Sequence, residues 1–192
     1  MRRKLTQRGK DRRRQLMREA ARLFAERGFH PTSVSDIVTS LGVGKGVFYW
    51  YFSSKDELLV EILKAAQLDL RRRQQVAIGD EPDPVVRIEL GIRASMQWFD
   101  EHRDDLTLFQ FAASEERFAP VVRSNQEIAI ADAARHIKDA IGDGRVADQD
   151  PEVLAHAIIG VMQQLARTYL FEQPVDGIAD AAVSFCLHGL TG

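Results

Sequence analysis

Cysteine occurs once in the 192 residues, as Cys186. A single cysteine excludes an internal disulfide framework and any CxxC metal site, and it makes an intracellular, cytoplasmic protein the simple expectation. No run of about 18 apolar residues exists, so no segment is expected to span a membrane as a helix. The basic start is not followed by the apolar stretch of a secretory signal. Strand-like alternation and internal repeats are absent. So are GxSxG, a P-loop, the Rossmann glycine set and HExxH. The five histidines, His30, His102, His136, His156 and His188, are scattered. Asp104-Asp105 and Ser114-Glu115-Glu116 bring carboxylates together only at expected helix ends, where capping or solvation explains them. Cys186 lies in an apolar helix and reads as packing. No cofactor is expected. Catalytic groups distant in sequence escape such a search, so a cytosolic helical enzyme stands as the alternative reading.

What is present is ordinary globular material, 45% hydrophobic and 28% charged, with an uneven charge distribution. Residues 1–60 carry 13 Lys/Arg against 6 Asp/Glu, whereas residues 61–192 carry 13 against 22. A basic end on an acidic body suits a protein that sets one end on a polyanion. Residues 1–14 concentrate Arg2, Arg3, Lys4, Arg8, Lys10, Arg12, Arg13 and Arg14 against the single acid Asp11. They read either as an arm that touches phosphates or the minor groove, or as a frayed, solvated tail.

The stretch from Thr32 to Leu58 organises the rest. Ser33 stands at an N-cap position with Asp36 three residues on, a box-like cap. Val34, Ile37, Val38 and Leu41 then repeat at helical spacing. Gly42 follows, where a helix end needs positive φ. Gly44 opens a second short helix, Gly46 leaves its first turn bare, and Val47 to Phe52 supply an apolar side and a row of aromatics. Ser54-Lys55-Asp56-Glu57 has the form of another capping box. Two short helices around a glycine turn form a helix-turn-helix, whose second helix enters the DNA major groove. Upstream, Leu16, Ala20, Leu23 and Phe24 give a supporting helix, ended by Gly28 and kept from resuming by Pro31.

Gly28-Phe29, Thr32-Ser33-Val34, Asp36-Ile37, Leu41-Gly42-Val43, Phe48-Tyr49-Trp50-Tyr51-Phe52 and Ser54-Lys55-Asp56-Glu57-Leu58 closely resemble the TetR family of bacterial transcriptional regulators. The resemblance is dense from about Leu16 to Leu63 and architectural beyond. Lys45, near the N-terminus of the recognition helix, can donate to guanine O6 and N7 or pair with a phosphate; the resemblance favours the base. Val47 is matched to a thymine methyl, and Tyr49 and Tyr51 to phosphates. Ser33 and Ser35 are placed to reach the DNA backbone. Lys55 resembles the family's phosphate-contacting lysine. Trp50 either lies on sugar-phosphate or packs against the first helix. Phe48 and Phe52 read as core. Gly44 departs from the serine common at this position, which removes a capping hydroxyl.

Further helices follow. Leu58, Leu59, Ile62, Leu63, Ala66 and Leu70 give a long helix from Lys55 to about Val76. Asp83-Pro84 and Asp150-Pro151 each read as an N-cap followed by proline at the first helical position. A soft boundary falls at Gly79–Pro84. The expected fold is all-α, about nine helices: a basic arm (1–14), a helix-turn-helix domain (15–60) and a ligand-binding and dimerisation domain (61–192). The resemblance implies an inducer pocket in the body, for which Met96, Phe99, Phe109, Met162 and Tyr169 are candidates, and a four-helix dimer interface from the last two helices, with Ala155, Ile159, Gln163, Ala182 and Phe185. The expected partners are near-palindromic operator DNA, a second copy of the chain and a small, mostly apolar ligand that releases a repressor. A helical adaptor without DNA-binding activity is the second alternative.

Overall fold

A computed structural model describes residues 5–170 and 172–191. Among them are nine α-helices, one 3-10 turn and no strand. Among the described residues no helix is long and apolar enough to cross a membrane.

The first helix, α1, spans Gln7–Arg27. It starts well before the expected end of the arm, because Thr6 caps it by accepting the Gly9 amide at 3.2 Å. Arg8, Lys10 and Arg12 to Arg14 are therefore helical rather than part of an extended arm; Met1 to Lys4 lie outside the described residues. Gly28, at φ 88°, ends α1 in the left-handed region that glycine alone enters cheaply. Next come α2 (Val34–Ser40) and α3 (Lys45–Tyr51). The Ser33–Asp36 capping box forms in full. In the turn between these helices the Val43 amide reaches back to the Val38 carbonyl at 2.9 Å, with Gly42 at φ 64°.

Helix α4 (Lys55–Ile78) is capped by Ser54, which accepts the Glu57 amide. The Glu57 carboxylate turns to the amide and hydroxyl of Ser53 instead of closing the expected box on Ser54. The body follows as α5 (Pro84–Glu101), α6 (Arg103–Ser114), the 3-10 turn Glu116–Phe118, α7 (Ala119–Gly142), α8 (Pro151–Tyr169) and α9 (Val175–Thr191). Asp83 and Asp150 cap α5 and α8 with proline in the first turn.

Two hydrophobic cores result. The first gathers Leu16, Leu23, Phe24, Phe29, Ile37, Phe48, Phe52 and the Leu58–Leu63 half of α4's stripe, and it is completed by Leu108, Ala112, Phe118 and Val121 from α6, the 3-10 turn and α7. The second is built on α5, α7, α8 and α9, with Ala66 and Leu70 from the other half of α4. One continuous apolar stripe on α4 thus belongs to both cores. Fully burying each large side chain contributes about 1.5–3 kcal/mol, so the stripe holds α4 firmly at both ends. Trp98, wholly buried in the second core, donates its indole N–H to Asp69 at 2.8 Å and stacks on His102.

Candidate nucleic-acid interface and ligand cavity

Helix α3 has two unlike sides. Phe48 and the following Phe52 are buried in the first core. Val47 and Tyr51 are half-buried against it. Lys45, Gly46, Tyr49 and Trp50 are exposed. At about 100° per residue these four occupy an arc of about 140°. Tyr49 is 57% and Trp50 65% exposed, so the indole does not pack against α1. An exposed lysine and two exposed aromatics on a seven-residue helix, with apolar anchors behind them, form a surface that can donate to base edges and lie along sugar-phosphate. Gly44 precedes them without a side-chain cap.

The other expected contacts are placed differently. Packing takes Val47 and Tyr51 partly out of the exposed arc. The Ser33 hydroxyl donates to the Asp36 carboxylate at 2.6 Å and accepts the Asp36 amide at 3.2 Å, so capping occupies it; these bonds hold the Asp36 pKa below the usual carboxylate range. Ser35 is half-buried on α2.

Lys55 requires a correction. Its Nζ donates to the carbonyls of Phe29 (2.7 Å), His30 (3.1 Å) and Thr32 (2.8 Å) and lies 4.4 Å from the centre of the Phe29 ring. All three ammonium donors serve the turn between α1 and α2, and none is left for a phosphate. Burial lowers its pKa. Thr32 completes the turn by donating to the Gly28 carbonyl at 2.8 Å. Lys55→Ala should therefore act as a folding lesion. Charge-assisted bonds and stranded carbonyls set its cost at about 1.5–3 kcal/mol, visible as a lower urea midpoint. An unchanged midpoint, with a salt slope of DNA binding reduced by about one, would return Lys55 to the phosphate backbone.

On α1, several cations are already committed. Arg13 pairs with Glu61 of α4 and lies over Phe52, Arg14 pairs with Asp11, and Arg22 bridges Glu19 and Glu26.

In the body, α4, α5, α6, α7 and α8 enclose a cavity of ≈ 550 Å³, within the range that holds a drug-sized molecule. Phe99, Phe109 and Met162 line it, with Ile88, Ile92, Ile137 and Ile158. Met96 is buried in the core away from the lining, and Tyr169 is 40% exposed outside it. Ile159 and Gln163, expected at a dimer interface, line the cavity. Ala155 and Ala182 are fully buried in the protomer's own core and present no outer surface. Phe185 alone of that set projects outward, 69% exposed. Sequence reasoning missed the polar part of the lining. Arg71 of α4 pairs with Asp132 of α7. Gln74 donates to Ser95, which donates to the Gly91 carbonyl. These residues come from separate helices and carry no common spacing.

The sequence profile of "Bacterial regulatory proteins, tetR family" matches residues 16–62, from the middle of α1 to the first turns of α4. The chain is 25% identical to the HTH-type transcriptional regulator YdgC of Bacillus subtilis over 95% of its own length and 94% of that protein's. It is 30% identical to the HTH-type transcriptional repressor KstR2 of Mycobacterium tuberculosis over 60% of each chain. A TetR-like transcriptional regulator from Rhodococcus sp. RHA1 shares the fold at a TM-score of 0.79 and 26% identity, over 94% of this chain and 96% of the other. The motif, the near full-length match and the shared architecture converge: residues 16–62 match the bacterial regulatory proteins of the tetR family, the chain as a whole is similar to TetR-like regulators, and it is a DNA-binding transcriptional regulator.

Proposed function

We propose that the protein is a homodimeric repressor that leaves its operator when a small molecule enters the body cavity. The observation that carries this reading is the double membership of α4. Its N-terminal half holds the DNA reader through Leu58 to Leu63, and its C-terminal half supplies Gln67, Leu70, Arg71, Gln74 and Gln75 to the cavity wall. A ligand shifts the equilibrium only by its differential affinity for two arrangements of α4. A coupling of about 1–3 kcal/mol changes DNA affinity 5–150-fold. The name of KstR2, a repressor similar over 60% of each chain, supports the sign of the effect.

On DNA, Lys45, Gly46, Tyr49 and Trp50 make the contact surface, with Lys45 reading a base. Two such surfaces related by a two-fold axis need half-sites about 34–36 Å, or a small multiple of that, apart. Selection from random duplexes should return a near-palindrome. On that duplex Lys45→Ala should cost about 1–3 kcal/mol and relax preference at one base pair. An equal loss on every sequence would make Lys45 a phosphate contact, and recovery of no duplex at all would remove the operator-binding reading.

A further inference from the structure

The body is acidic, yet its cavity is lined the other way. Four arginines, Arg71, Arg87, Arg135 and Arg167, line it against one carboxylate, Asp132. The remaining carboxylates of residues 61–192, in a chain segment where acids outnumber bases 22 to 13, lie elsewhere. The cations also sit beside a mostly apolar and neutral polar lining that includes isoleucine, leucine, phenylalanine, methionine and glutamine.

Their pairing is uneven. Arg71 pairs with Asp132: one terminal nitrogen donates to Oδ1 at 3.0 Å, while Nε lies 2.6 Å from Oδ2 without the alignment of a hydrogen bond. Among the described residues that occupies the one lining carboxylate; Arg135 stands 4.0 Å from it and is 62% exposed. Arg87, on the first turn of α5, meets Asp139 at 3.0 Å through one terminal nitrogen. Its Nε is buried with no hydrogen-bond partner among the described residues. The same holds for Nδ1 of His136, one turn before Asp139 on α7. With Nε of Arg71, three buried nitrogens of the cavity lining lack hydrogen-bond partners among the described residues, and such groups are costly unless a polar partner reaches them. Burial keeps His136 below its ordinary pKa, and the charges of Arg135 and Arg87 lower it further. The imidazole is thus neutral near pH 7 and can donate from one nitrogen, while Arg87 stays charged.

We propose that the cavity takes an amphipathic organic carboxylate, its acid group received by Arg87 and His136 and its apolar body lying among Ile88, Phe99, Phe109 and Met162. An acid group fits this wall better than an alcohol, amide or amine. Arginine presents paired donors to a carboxylate in a geometry that a neutral group fills only partly. An ammonium would meet a wall with more cations than carboxylates. Walls of low dielectric strengthen the attraction relative to an exposed arginine. This inference rests on the reading of the cavity as a ligand site, and it replaces a mostly apolar ligand by an anionic one. Gln163 and Gln164 of α8 line the same space; Gln164 already bonds Thr168 and Arg167, and Gln163 can serve a neutral polar group further along the ligand.

The test is calorimetric titration of the full chain with matched probes: decanoate, decanamide and 1-decanol, then 3-phenylpropionate and its amide. Each acid should bind about tenfold or more tightly than its amide, the ratio one charge-assisted contact supplies. Arg87→Gln should bring that ratio close to one. Asp139→Asn, at a half-exposed carboxylate that competes for Arg87, should raise acid affinity; should the glutamine variant fold poorly, this second variant carries the test. Amides or alcohols that bind as tightly as the acids would overturn the anionic ligand and leave the cavity as a ligand site. An acid preference that survives Arg87→Gln, or an Asp139→Asn variant that binds acids more weakly, would overturn the assigned seat. No heat from any of the five compounds would overturn the cavity reading together with the proposal.

Discussion

Phe29→Ala is expected to destabilise the protein by about 3–5 kcal/mol, the usual range for removing a buried phenylalanine. Domains of this kind hold about 5–15 kcal/mol in total, so much of the margin would go. Phe29 is 3% exposed. Its ring lies 5.0 Å from Phe24 in α1, 5.2 Å from Phe111 in α6 and 5.6 Å from Phe118 in the 3-10 turn. Lys55 covers one side and Arg117 approaches at 5.2 Å. The residue therefore fastens the DNA reader to the body, and its loss should also separate their unfolding. The two tryptophans allow this to be seen: Trp50 stands in the reader, exposed, and Trp98 in the body, buried. In a Trp50→Phe background, Trp98 fluorescence should report the body alone, while circular dichroism reports all helices. The two urea transitions should coincide in the parent and part in the Phe29→Ala variant, with the reader lost first. Coincident transitions and a loss below about 1 kcal/mol would show that the reader stands without this cluster.

The second large effect is expected at Phe185. Helix α9 leaves it 69% exposed, and α8 leaves Val153 62% exposed. Around them lie exposed small residues, among them Gly160 on α8 and Gly177 and Ala181 on α9. Large apolar residues set among small ones suit two helices from each of two copies packing as a four-helix interface. An exposed aromatic at its centre is the kind of residue whose loss costs 2 kcal/mol or more. Phe185→Glu should therefore give a monomer at micromolar concentration by sedimentation, with helical content unchanged because the side chain takes no part in the protomer's core. DNA affinity should fall about 10²–10⁴-fold, since two half-sites are then no longer gripped by one linked pair. A variant that sediments as the parent does would move the interface to another face.

How much of this was readable in the chain depended on distance along it. The Ser33–Asp36 box, the proline starts at Pro84 and Pro151, and the Phe48/Phe52 anchors rest on residues within one turn of each other, and each formed as expected. The start of α1 was misjudged because Thr6 has no acid three residues on and is followed by cations, an arrangement the helix dipole disfavours. Lys55 was misassigned because its acceptors lie 23 to 26 residues upstream. Ala155, Ala182 and Phe185 share an apolar pattern, and only the rotation of each helix in the finished bundle separates core from outer face. The cavity's arginines belong to separate helices, and nothing local marks Arg87 as different from a solvated surface residue.

The completion of the reader's core by α6 bears on how such regulators can be recombined. Leu108, Ala112 and Phe118 lie far from the helix-turn-helix in sequence yet seal its underside. Residues 1–60 are consequently not a cartridge. A hybrid that joins this reader to another regulator's body inherits that body's α6, and Phe24 and Phe29 then meet side chains they were not shaped against. Where the foreign α6 is smaller the graft carries a void, and where it is larger the reader is tilted. Exchange of DNA specificity without a change of α6 is better sought on the exposed arc of α3, where Lys45, Tyr49 and Trp50 can change without touching the seam.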